Sequence, residues 1–152
     1  MLKAWHYTTK ARAVDILGDS ILKPSSTGVQ PPEKPVVWFS LNQRWEPTAN
    51  KAIVHNGALR TLTMTETHTV GGGLCRFGID ANKLLTGGAL RRRASISHAT
   101  WIGLTRHAQS GDPRDWFGHV GPLGIHGLEL QMLLDPAGEW ETIGLLEIEG
   151  AT

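Results

Sequence analysis

Trp5-His6-Tyr7-Thr8-Thr9, answered downstream by Val36-Val37-Trp38-Phe39-Ser40, is the stretch on which the reading of this chain turns. From Leu2 to Tyr7 the residues alternate. Leu2, Ala4 and His6 fall on one face, and Lys3, Trp5 and Tyr7 on the other, which predicts a strand. Thr8 or Thr9 is a good N-cap for a helix from Lys10 to Leu17, with Ala13, Val14, Ile16 and Leu17 as its apolar stripe. Gly18-Asp19-Ser20 stops that helix, and Pro24 ends the short extended piece begun by Ile21 and Leu22. Pro24, Pro31, Pro32 and Pro35 make the segment from Ser25 to Pro35 a loop. Val36 to Ser40 is an unbroken apolar run, the pattern of a buried strand.

Further along, Leu41 to Asn50 is polar and carries Trp45, Glu46 and Pro47. His55 to Gly73 is rich in threonine, weakly patterned, and reads mostly as loop. Leu74 to Ile79 reads as a strand, and Asp80 to Leu85 as a turn. Ser95 or Ser97 can cap a helix running to Ala108, which Ser110-Gly111-Asp112-Pro113 stops. The aromatic loop from Asp112 to His119 reads as a cleft wall or as packing over the core. Leu128 to Leu134 is a strand with Glu129, Gln131 and Leu133 on one face. The turn Asp135-Pro136-Ala137-Gly138 sends Trp140 to Ile148 back against it. The sum is an α+β domain of about six or seven strands and two helices.

Composition narrows the function classes. A chain of 152 residues reads as one domain, 1–152. Fifteen basic residues against fourteen acidic ones give a weak overall field, which argues against strong nonspecific nucleic-acid binding. The run Arg91-Arg92-Arg93 could touch a phosphate, though such a run is more often a solvated loop. One cysteine, Cys75, excludes an internal disulfide and fits a reducing compartment, so a cytoplasmic location is expected. Neither a signal segment nor a membrane span is visible. No metal-ligand spacing of the familiar kinds occurs, and Gly71-Gly72-Gly73 lacks the lysine and helix of a phosphate loop. Six tryptophans against one tyrosine suit a cleft that takes planar ligands.

His6-Tyr7-Thr8, the helix after it and Trp38-Phe39-Ser40 resemble the opening of the ADP-ribosyltransferase fold, over roughly residues 3 to 50. The resemblance implies two small, mainly antiparallel sheets around a cleft, with two or three short helices. It implies NAD as substrate, cofactor-binding residues His6, Tyr7, Thr8, Trp38, Ser40 and Trp45, and no metal. His6 would hydrogen-bond the nicotinamide ribose and the Tyr7 backbone would hold the nicotinamide amide. Trp45 would replace the family's stacking aromatic residue. For the catalytic carboxylate the candidates are Glu129, favoured for its place on a late strand, and Glu46. The order Glu129-x-Gln131 departs from the motif of arginine-modifying members, which weakens arginine as acceptor. The expectation is a monomer that transfers ADP-ribose from NAD to a macromolecule, protein or nucleic acid, as a bacterial or phage toxin or effector. Two alternatives stand beside it: an inactive NAD-binding, nucleotide-binding or inhibitor protein on the same fold, and an RNA 2′-phosphotransferase-like enzyme.

Overall fold

The computed structural model describes residues 2–147. The expected return strand to Ile148 therefore ends outside the described residues.

The opening folds as its alternation dictates. Strand β1 (Lys3–Thr9) runs into helix α1 (Lys10–Asp19), and the Thr9 hydroxyl accepts the amide of Arg12 as N-cap. Ser20 ends α1 in the left-handed region at φ 60°. β2 (Ile21–Leu22) follows, and the proline loop leads to β3 (Val36–Ser40). Beyond the polar segment come β4 (Ala52–His55), β5 (Ala58–Thr61) and α2 (Met64–Gly71). Next are β6 (Leu74–Asp80), β7 (Leu85–Thr86), α3 (Gly87–Arg93) and α4 (His98–Arg106). The chain closes with β8 (Trp116–Val120), β9 (Leu123–Gly124), β10 (Glu129–Leu133) and β11 (Glu141–Leu145).

The fold is α+β and its sheets are antiparallel. Seven strands form one sheet in the order β11-β10-β6-β1-β3-β8-β7, and β2–β9 and β4–β5 are separate ribbons. The expectation of two small sheets and two or three helices is corrected: among the described residues there is one large sheet, and there are four α-helices. The large sheet has a weak seam, however. β1 is registered with β6 along its whole length, but with β3 only at Trp5 opposite Ser40.

Three segments differ from the sequence reading. Residues 52–61 form a hairpin turning at Asn56-Gly57, where both residues take positive φ, as a tight hairpin turn requires. Residues 64–71 are helical because Thr63 and Glu66 form a reciprocal capping box. Arg91-Arg92-Arg93 is the last turn of α3, where cations face the negative end of the helix.

The main core lies on the sheet face bearing Ala4, Phe39, Phe77 and Leu130, covered by Ala13 of α1 and by Leu22, Ile125 and Leu128. Cys75 is buried there in β6, and burial pushes its thiol pKa up to about 11. On the other face Trp5, Tyr7, Trp45, Leu74 and Leu133 cluster, while Leu90, Ala94 and Ile96 pack on Val36. Gly78 lies flat beneath Trp5; a Cβ there would stand 2.5 Å from the indole ring.

Candidate functional site

The seam between β1 and β3 makes the site. Past the Trp5–Ser40 pair, the imidazole of His6 enters the gap and its Nδ1 lies 2.7 Å from the Trp38 carbonyl oxygen. A carbonyl only accepts, so Nδ1 carries the proton and Nε2 is left as an acceptor. Burial, the leading influence, drives the His6 pKa down, the Trp38 carbonyl opposes it, and the Arg12 charge adds to the lowering. The ring is therefore neutral at physiological pH.

His6 and Trp38 stand between two cavities. The first, about 350 Å³, is lined by Trp5, His6, Tyr7, Trp38, Phe39, Ser40, Glu46, Thr48 and Trp116, with Leu104 and His107 from the end of α4. Its walls are aromatic and its polar groups few, the usual make-up of a small-molecule site. The second, about 760 Å³, runs from His6 and Thr8 along Arg12, Asp15 and Asp19 to Lys23.

Glu46 is the carboxylate of the first cavity. It is only 7 % exposed. Its Oε1 accepts from the Ser40 hydroxyl at 3.0 Å, and its Oε2 accepts from the Thr48 amide at 3.0 Å and the Thr48 hydroxyl at 2.7 Å. Gly111 lets the following loop close over it, since a Cβ there would lie 2.8 Å from Oε2. Among the described residues no cation lies within ion-pair distance of Glu46. The nearby Asp115 carboxyl is pushed up first by burial, then by Asp112 and Glu46, with Arg114 opposing.

Tyr7 and its surroundings brace the segment that carries Glu46. The Tyr7 hydroxyl donates to the Asn42 carbonyl and accepts from Arg76 Nη1. Burial raises its pKa to about 12, against the pull of Arg76. Arg76, itself buried, lies 3.9 Å from the Trp5 ring centre and 4.4 Å from that of Trp140. It also donates to Gln131 Oε1 and to the Gln43 carbonyl. A guanidinium held between two indoles gains cation–π attraction, and the Glu129 carboxylate acts on it only from beyond ion-pair distance.

The expected site residues separate. His6, Tyr7, Trp38, Ser40 and Glu46 line the first cavity, and Thr8 lines the second. Trp45 does not line the first. It is buried behind Tyr7, edge-on at 5.2 Å, with its indole donating to Asn50. Trp38 and Trp116, which do line the first cavity, have ring centroids 6.2 Å apart. Glu129 is also elsewhere. It is ion-paired to Lys3 at 2.9 Å, on a strand separated from β1 by β6. With strands about 4.8 Å apart, β10 lies roughly 14 Å from β3. Sequence reasoning missed Arg12 and His107, since neither stands in a recognisable motif. Thr48, two residues after Glu46, could have been found as a hydroxyl placed to hold a carboxylate.

Among the described residues no group of histidine, cysteine, aspartate and glutamate could hold a metal ion, and no helix is long and apolar enough to cross a membrane. No family model, no curated protein and no solved structure matches the chain.

Proposed function

We propose that the protein binds NAD across the β1–β3 seam and transfers its ADP-ribose to a macromolecular acceptor. One observation carries this reading: a buried carboxylate with hydrogen bonds but no cation, in an aromatic cavity beside a neutral histidine. Burying a charge without an opposite partner is costly. A pyridinium ring is a flat cation, and its departure leaves positive charge on the ribose. Either species supplies what Glu46 lacks.

In this reading the nicotinamide ring enters the first cavity against Trp38 or Trp116. The His6 Nε2 accepts from a ribose hydroxyl. The diphosphate half lies along the second cavity, with Arg12 as its nearest cation. The bond between ribose C1′ and the nicotinamide nitrogen breaks, and nicotinamide leaves neutral with the electron pair. Glu46 stabilises the developing oxocarbenium ion, which an acceptor nucleophile captures at C1′ as it gives up a proton. Glu46 replaces Glu129 in this role because it shares the cavity with His6.

Calorimetry is expected to show NAD binding that His6→Ala abolishes. Release of nicotinamide should fall by ~10²–10³ in Glu46→Gln, and should not change in Glu129→Gln. No heat of binding with NAD at millimolar concentration overturns the proposal. A second reading has its own observation: Glu46 also caps the turn at Pro47–Ala49 through the Thr48 amide. If that is its whole role, the protein binds NAD without cleaving it, and NAD binding with no nicotinamide release would decide for this.

A further inference from the structure

We propose that a groove beside the cavity, formed by α3, β7 and β8, binds the phosphodiester backbone of a nucleic-acid strand and presents that strand as the ADP-ribose acceptor. The acceptor half of the proposal rests on the NAD reading above; the binding half does not. Lys83, Arg92, Arg93 and His119 line this groove, of about 720 Å³, with Leu85 and Val120 between them. No carboxylate lines it, and among the described residues none of its lysine or arginine side chains enters an ion pair. In a chain whose formal net charge is only +1, such a concentration is segregation of charge. Gly88 lacks the side chain that would meet Arg92, so the guanidinium folds back on the helix, 2.9 Å from where a Cβ would sit. Apolar Leu85 and Val120 lie between the charges and offer surface to the sugars of a strand whose phosphates the cations hold.

Position links groove and cavity. Trp116 lines the cavity at one end of β8, and Gly118, His119 and Val120 line the groove at the other. At about 3.3 Å per residue, Val120 is roughly 13 Å from Trp116, about two nucleotides of an extended strand. Phosphates held in the groove would leave a neighbouring nucleotide at the cavity mouth.

The test is fluorescence anisotropy with a short labelled single-stranded oligonucleotide, without NAD. Binding should be strong at low salt and fall log-linearly as salt rises. Arg92→Ala/Arg93→Ala should flatten the salt slope by about 0.7 for each phosphate that is no longer neutralised. That variant should keep its circular dichroism spectrum and its NAD affinity, while His6→Ala should lose NAD affinity and keep the oligonucleotide. Absence of binding at low salt overturns the proposal. So does an unchanged slope in the double variant, or equal competition by polyglutamate. A protein that binds the strand but not NAD retains the groove and loses the acceptor role.

Discussion

His6 is kept neutral by its place in the seam, and that has a measurable sign. Its folded pKa lies below the ordinary 6.5. As pH falls past 6.5 the unfolded chain takes up a proton before the folded chain does. The stability tied to this histidine is therefore complete above 6.5 and lost as pH drops through that value toward the folded pKa. Thermal melts across this range should show a steeper loss of Tm in the wild type than in His6→Gln; equal slopes would mean that the ring is not buried neutral. Protonation of the folded chain removes the Nε2 lone pair, so NAD affinity should decline only as pH falls through the lowered folded pKa, below the interval in which stability is lost. At this scale much of the site was legible: the alternation of β1 and the aromatic triplet of β3 bring His6, Trp38 and Ser40 together. Which glutamate joins them was not legible. Glu129 and Glu46 differ in partners, Lys3 for one and Ser40 with Thr48 for the other, and such partners are set by tertiary contact.

Among elements, β6 is the most fully paired, in register with β1 from Leu74 to Asp80 and with β10 from Leu74 to Gly78. Gly78 is its most constrained residue. Gly78→Ala would drive a methyl group into the Trp5 ring and disturb Arg76 beneath that ring. Overpacking of this kind costs about 1–3 kcal/mol. Urea unfolding should show a loss of that size, whereas alanine at Gly103, with nothing within 4 Å, should cost nothing by clash. Of the elements read from sequence, β1, α1, β3, β6 and β10 bury one face or both, so burial left a pattern, whereas α4 buries no residue and was legible from its Ser97 cap. The hairpin β4–β5 is exposed over nearly all its length and carries no alternation. α2 is built largely from threonine and valine, poor helix formers, and relies on its capping box and on the buried Thr67, whose hydroxyl accepts the Lys51 amide. α3 begins with two glycines, and Leu90, packed on Val36, holds it in place.

For the molecule as a whole, chain order and spatial order disagree. The first strand lies in the middle of the sheet, between β3 and β6, so the centre cannot assemble until distant segments meet. Charge is also unevenly spread about the neighbouring strands β3 and β8: the buried Glu46 lies in the cavity beside β3, and Lys83, Arg92 and Arg93 line the groove beside β8. A formal net charge of +1 conceals this local concentration of charge, which composition alone does not register.

The lone cysteine turns this architecture into a clock. Cys75 is 1 % exposed in β6, and its thiol is held protonated by burial. A thiol-reactive disulfide can react only with molecules in which β6 has opened. The rate of colour release then equals the open fraction multiplied by the rate for a free thiol. Any ligand that binds only the closed state lowers that fraction by the factor 1 + [L]/Kd, so a ligand at a hundred times its Kd should slow labelling by about a hundredfold. NAD and the oligonucleotide can each be timed in this way on the unmodified chain. Given together, they should multiply their effects if their sites are independent.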